Sequence, residues 1–337
     1  MIERDVVGRR AFLRRAGIVA TGVTIGGRAR PVGAEPPPET TKLRLLRGAS
    51  MCWAPQYVAD DLLRAEGFTD VTYVDFPGGP VSEFLAARKA DISLNFVGPN
   101  LVRLDQGDPV VFLAGVHVGC FELFASDRVR RITDLKGKTT SVAQLNSAHH
   151  VFLASIAAQV GLDPRTDIKW LINPPQESIR LLSAGKIDVL IGFPPMPQEL
   201  RQKKIGHVIL NSSVDRPWSQ YFCCVATGSR EFVQQHPVST KRALRAILKA
   251  TDMCAQQPEV AARALVDRKY TARYDLALQV MKDVPYNRWR EYNPEDTIRF
   301  YALRLHEVGM IRSNPQKLLA QGTDWRFLEE LKKELKA

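Results

Sequence analysis

Cysteine is scarce in this 337-residue chain, at five residues, an odd number with no Cys-x-x-Cys spacing. That excludes a disulfide framework and the paired-cysteine pattern of structural zinc. Cys52, Cys120, Cys223, Cys224 and Cys254 are therefore expected as small buried hydrophobes, with Cys52 and Cys120 the first pair to test for a single bridge. Also missing are a Gly-x-Ser-x-Gly elbow, a P-loop and a His-Glu-x-x-His pair, and the carboxylates gather on helix-like stretches. No catalytic constellation is expected, and no cofactor. Long apolar runs are lacking as well: the weakly apolar stretch from Ala16 to Gly27 falls short of the roughly 20 residues that span a bilayer.

Positive charge is present, at a formal +11, but it is uneven. The first 34 residues hold seven Arg against one Glu and one Asp, a local +5 that leaves +6 on the rest. With no basic stripe interleaved with aromatics, a nucleic-acid groove is excluded and a mild field favouring anions remains. The segment Gly8-Arg9-Arg10-Ala11-Phe12-Leu13-Arg14, followed by the Ala16–Gly27 stretch and by Val32-Gly33-Ala34, resembles a twin-arginine export signal. Residues 1–34 are read as that signal, cleaved after Ala34, and 35–41 as a Pro-rich linker. Delivery to the periplasm is the expectation.

From Lys42 onward, short β-rich runs alternate with helical patterns, the signature of an α/β protein with mainly parallel sheets flanked by helices. Strands are expected at 43–47, 71–76, 91–94, 110–116, 121–125, 139–142, 168–171, 188–191 and 221–226. Almost everything from Glu231 is helical, with Leu244, Ile247, Leu248 and Thr251 forming a buried stripe. One short pattern occurs twice: Lys89-Ala90-Asp91-Ile92 with Phe96 five residues beyond the Asp, and Lys186-Ile187-Asp188-Val189 with Phe193 at the same interval. Each copy follows a helix of small and aliphatic residues, so a pseudo-duplication of helix, turn, strand and aromatic loop is expected.

The motifs Asp134-Leu135-Lys136-Gly137-Lys138-Thr139, Ser147-Ala148-His149, Gly161-Leu162-Asp163-Pro164 and Leu182-Ser183-Ala184-Gly185-Lys186-Ile187-Asp188 stand in an order that resembles the nitrate, sulfonate and taurine type of ABC-transporter substrate-binding proteins. Pro55-Gln56-Tyr57-Val58-Ala59 is similar to that family's first helix, so the resemblance runs from about Lys42 to Pro258. It implies a type II periplasmic binding fold with a ligand cleft between two lobes. Residues 42–127 would begin lobe one, 128–218 would form an inserted lobe two, and 219–337 would return to lobe one. The crossings would fall near Ser126–Thr133 and Asp215–Tyr221. The implied role is a monomeric receptor delivering a small organic anion or polar aromatic compound to an ABC permease dimer with its cytoplasmic ATPase. Where many members carry a Trp-Glu-Pro-Tyr loop, this chain has Phe193-Pro194-Pro195-Met196, which removes a partner for a ligand ammonium group. The resemblance extends to thiamine-pyrimidine synthases, whose cysteine-rich motif is absent; Cys223-Cys224 lies on an expected strand, where neighbours alternate faces. An exported enzyme or a thiamine-pyrimidine-related protein on the same fold is the alternative.

In open α/β sheets ligands bind beyond the carboxyl ends of strands, where following helices offer backbone N–H groups. That rule selects Ser50 and Trp53, Asn95 and Phe96, His117, Ser147 and His149, and Phe193 as ligand-binding residues; Trp218, Gln220 and Tyr221 join them near the second crossing. Ser147 is also a helix cap. His149-His150 lacks an i,i+4 partner and a nearby carboxylate, so no metal is expected there, and adjacent side chains cannot both face a ligand.

Overall fold

A computed structural model describes residues 35–336, so the export-signal reading of residues 1–34 lies outside the described residues. Among the described residues ten strands form three sheets. β1 (Lys42–Arg47) and β2 (Asp70–Asp75) pair in parallel, Lys42 opposite Asp70. β3 (Ile92–Phe96), β4 (Val110–Val118) and β10 (Phe222–Ser229) form a second sheet in the order β3-β10-β4. β5 (Glu122–Ala125), β6 (Lys138–Val142), β7 (Ile168–Ile172), β8 (Val189–Gly192) and β9 (His207–Asn211) form the third, in the order β7-β6-β8-β5-β9.

β1 pairs in parallel with β2, and β6 with both β7 and β8, whereas the strands that follow a change of sheet pair antiparallel. β5 is the first strand after one crossing and runs antiparallel to β8 and β9. β10 is the first after the other and runs antiparallel to β3 and β4. A returning strand slots between two that already run together, so it opposes both, and the three-stranded sheet is antiparallel rather than mainly parallel as expected. β9, an apolar run after Gly206, was not anticipated. β4 ends at Val118 in the three-stranded sheet and β5 begins at Glu122 in the five-stranded one, so the chain passes between these sheets at Gly119–Phe121.

That crossing needs glycine. Gly119 has φ +42°, and a Cβ there would stand 2.1 Å from the Ser212 carbonyl oxygen. The two connections run side by side, pinned by Ser212: its hydroxyl accepts from the Cys120 and Phe121 N–H groups at 2.9 and 2.8 Å and donates to the Phe121 carbonyl at 3.0 Å.

The repeated Asp motif has one structural job in both places. The Asp91 N–H donates to the Arg44 carbonyl, its carboxylate accepts from the Arg44 N–H, and its carbonyl accepts from the Ser229 N–H. The Asp188 N–H donates to the Thr139 carbonyl, its carboxylate accepts from the Thr139 N–H, and its carbonyl accepts from the Ser126 N–H. Each carboxylate is also paired with an arginine, Arg44 or Arg128, at 2.6 Å. Each Asp thus ties the start of one strand to the end of an antiparallel neighbour.

Helices cover the sheets. The stripe Leu244, Ile247, Leu248 and Thr251 of helix Pro237–Gln256 is fully buried, as its spacing predicts. Helix Ala148–Gln159 is apolar on nearly every side and packs against helix Pro294–Glu307. No helix among the described residues is long and apolar enough to cross a membrane.

Candidate functional site

A cavity of about 330 Å³ lies between the strand ends of the second and third sheets. Its size is at the low end of the roughly 300–1,000 Å³ of small-molecule sites. One wall comes from the Ser50–Trp53 turn after β1, the Phe76–Gly79 loop after β2, and Asn95 and Phe96 at the end of β3. The facing wall is Ala143 and Gln144 after β6, Ser147 to His149 at the start of helix Ala148–Gln159, and Phe193 after β8. Of the residues selected from sequence, the structure brings together Ser50, Trp53, Asn95, Phe96, Ser147, His149 and Phe193.

Four others stand elsewhere. His117 is fully buried behind the cavity in β4, edge-on to Tyr286. Trp218 is packed against Phe152 and Phe300, a core position joining helices. Tyr221 stacks on Phe300 with centroids 3.9 Å apart, and with Gln220 it lines a separate surface cavity of about 340 Å³. Nearness to a crossing in sequence drew these last three toward the cleft. The chain instead turns at Trp218–Gln220 and packs them against helix Pro294–Glu307.

No charged side chain lines the cavity. Its aromatic character is graded: Phe96 is wedged edge-on among Phe121, Phe152 and Tyr301, whereas Phe193 is half-buried and stacked on the His149 ring at 4.6 Å. Burial pushes His149 down to about 4, so its imidazole is neutral at pH 7. His150 faces away, accepting the Asn146 N–H at 3.1 Å and meeting Trp170. The Ser147 hydroxyl caps the helix by accepting the His150 N–H, at the limit of hydrogen-bond distance, 3.5 Å. The Asn95 side-chain oxygen accepts from the Phe96 N–H at 2.8 Å, while its buried Nδ2 has no partner. The walls also touch directly, because the Met51 N–H donates to the Pro194 carbonyl at 3.1 Å.

The cysteines are where sequence reasoning fell shortest. All five are free and buried, but four of them, Cys52, Cys120, Cys223 and Cys224, gather at the cavity. Cys52 and Cys120 are 3.8 Å apart at sulfur and unbridged, while Cys120 sits closer to Cys223, at 2.8 Å. Strict alternation would send Cys223 and Cys224 to opposite faces. Register shifts in β10 between Phe222 and Val225 break the alternation, and both line the cavity. Burial opposes ionisation of each thiol. Hydrogen bonding by Cys120 and Cys224 and the nearby His117 ring nevertheless hold Cys52 well below its ordinary value, and Cys120 is pushed up. No linear signal marked this cluster, because its members come from three distant segments. The Phe76–Gly79 loop and Gln144 were likewise missed.

A fold of crossed sheets around a cavity at the strand ends defines the two-lobed periplasmic-binding-protein class, and comparison with known proteins agrees. Residues 37–266 match the model of the NMT1-like family, and the chain belongs to that family. No curated protein matches its sequence. Among solved structures it is similar to the periplasmic nitrate-binding protein NrtA from Synechocystis PCC 6803, at 15% identity and TM-score 0.74, over 89% of this chain and 90% of that one. It is similar to the alkanesulfonate-binding protein SsuA from Xanthomonas axonopodis pv. citri, solved bound to MOPS, at 18% identity and TM-score 0.66, over 82% and 96%. The desulfurization enzyme DSZB shares the fold at 14% identity and TM-score 0.61, over 88% and 99%.

Proposed function

We propose that this protein is an exported solute-binding protein that closes on one small, flat, polar solute and presents it to an ABC permease dimer powered by a cytoplasmic ATPase. The observation that carries the reading is the cavity: aromatic walls, a helix amino terminus, and no charged side chain. Without a carboxylate there is no partner for an ammonium group, and without a cation a doubly charged anion has only the backbone N–H groups of the helix start to offset its desolvation. A polar aromatic compound stacked between Trp53 and Phe193 fits best. A small organic anion held by the backbone of the Ser147 turn is second.

In this reading residues up to Val118 and from Phe222 onward make lobe one, residues 122–211 make lobe two, and the Gly119 and Ser212 connections are the hinge. The Met51 to Pro194 hydrogen bond then belongs to the closed form. The Arg-rich first 34 residues supply the export address, and the receptor acts as a monomer.

An exported enzyme is the second reading, favoured by Cys52 at the cavity wall and by the fold shared with DSZB. A thermal-shift screen of heteroaromatic acids, pyrimidines, sulfonates, carboxylates and nitrate tests the proposal. A ligand at a hundredfold excess over its Kd raises stability by about 2.7 kcal/mol. Stabilisation by flat polar aromatics supports the reading; a response confined to amine-bearing sulfonates contradicts it.

A further inference from the structure

We propose that Cys52, Cys120 and His117 form a three-donor site for one thiophilic d10 cation, Zn2+ or Cu+, at the floor of the cavity. The sulfurs of Cys52 and Cys120 and a ring nitrogen of His117 lie within 4.8 Å of one another. The Cys52 sulfur is 3.8 Å from those of both Cys120 and Cys224. A tetrahedral ion with metal–sulfur bonds of about 2.3 Å sets its sulfurs about 3.8 Å apart, so the Cys52–Cys120 edge already has the length such an ion imposes.

The imidazole is prepared in the manner of a ligand. His117 Nδ1 faces the Val118 and Gly119 carbonyls, each at 3.3 Å, so the proton belongs on Nδ1. Nε2 is then left as the unprotonated nitrogen, and it is buried without a hydrogen-bond partner. A backbone carbonyl fixing the tautomer of a histidine is the usual support of a metal-bound imidazole. Cys223 lies too close to Cys120, at 2.8 Å between sulfurs, for both to hold the same ion, and takes the supporting position.

Access comes from the cavity, which Cys52, Cys120 and Cys224 all line. Soft sulfur donors favour Cu+ and Zn2+ over hard cations. Three protein donors leave one tetrahedral position for water or for the nearby Cys224 thiol, so the ion's role would be to brace β4, the first crossing and the Ser50–Trp53 turn rather than to hold the solute. The site therefore stands or falls separately from the solute reading.

The test uses the full mature chain, reduced with a phosphine and verified to carry five titratable thiols. Titration with Co2+ is expected to reach one equivalent, with a thiolate-to-cobalt charge-transfer band and tetrahedral visible absorption that excess Zn2+ abolishes. A parallel titration with Cu+ against a chromophoric chelator decides which ion holds the site. Cys254→Ser should bind like the wild type, and Cys52→Ala and Cys120→Ser should lose the band. Absence of the band in the reduced wild type would overturn the proposal without reference to any variant's folding. So would metal uptake that survives Cys52→Ala, or a Cys120–Cys223 bridge in the exported protein that reductant opens without restoring uptake.

Discussion

The two copies of the Asp–strand–Phe motif make the same backbone bonds and put their aromatic rings to different uses. Asp91 and Asp188 each exchange two hydrogen bonds with one residue of a neighbouring strand, Arg44 or Thr139, and each carries an arginine on its carboxylate. Five residues on, Phe96 is buried among three other aromatic rings, whereas Phe193 is half-buried and rests on His149. The part of the repeat that holds strands together is unchanged, and the part at the cavity has separated into a fixed wall and an adaptable one.

That contrast can be broken by mutation. Phe96→Ala should cost about 3–5 kcal/mol in urea unfolding, since it empties a packed core position. Asp91→Ala and Asp188→Ala should each cost about 2–3 kcal/mol and agree within about 1 kcal/mol. Each leaves a strand N–H and an arginine unpartnered, with the ion-pair share reduced because Arg44 and Arg128 are half-exposed. A negligible loss at either Asp would end the equivalence of the copies.

A pH series sharpens the comparison on the second wall. His149 and His150 are both held neutral by burial, pushed down to about 4 from an ordinary value near 6.5. The unfolded chain therefore binds more protons between those values. Stability is fully present above about pH 6.5 and falls as pH drops toward 4, by at most about 1.4 kcal/mol per pH unit for each histidine. His149→Gln should flatten the slope between pH 6.5 and 4.5 in urea titrations. Smallest in stability is Phe193→Ala, expected within about 1 kcal/mol of wild type; loss of the stacking face should still weaken a bound aromatic solute roughly tenfold.

Much of the fold was legible because its signals are local. Strand runs, the Leu244–Thr251 stripe and the Asp repeat each lie within a few residues, and seven of the selected site residues follow from the rule that cavities form at strand ends. What escaped depends on pairing. The sheet to which β5 belongs, the direction of β10 and the burial of Trp218 are set by how distant strands and helices meet. The cysteine cluster is the extreme case: Cys52 arrives from the turn after β1, Cys120 from the first crossing, and Cys223 and Cys224 from a strand whose register shifts turn both toward the cavity.

The most direct measurement is calorimetric titration of the purified mature protein with the strongest stabilising compound, followed by chemical analysis of what the protein releases. The account predicts saturation at one molecule per chain, with a flat polar compound lacking an amine returned unchanged. Conversion of more than one equivalent, or saturable binding only of amine-bearing or doubly charged solutes, would contradict it.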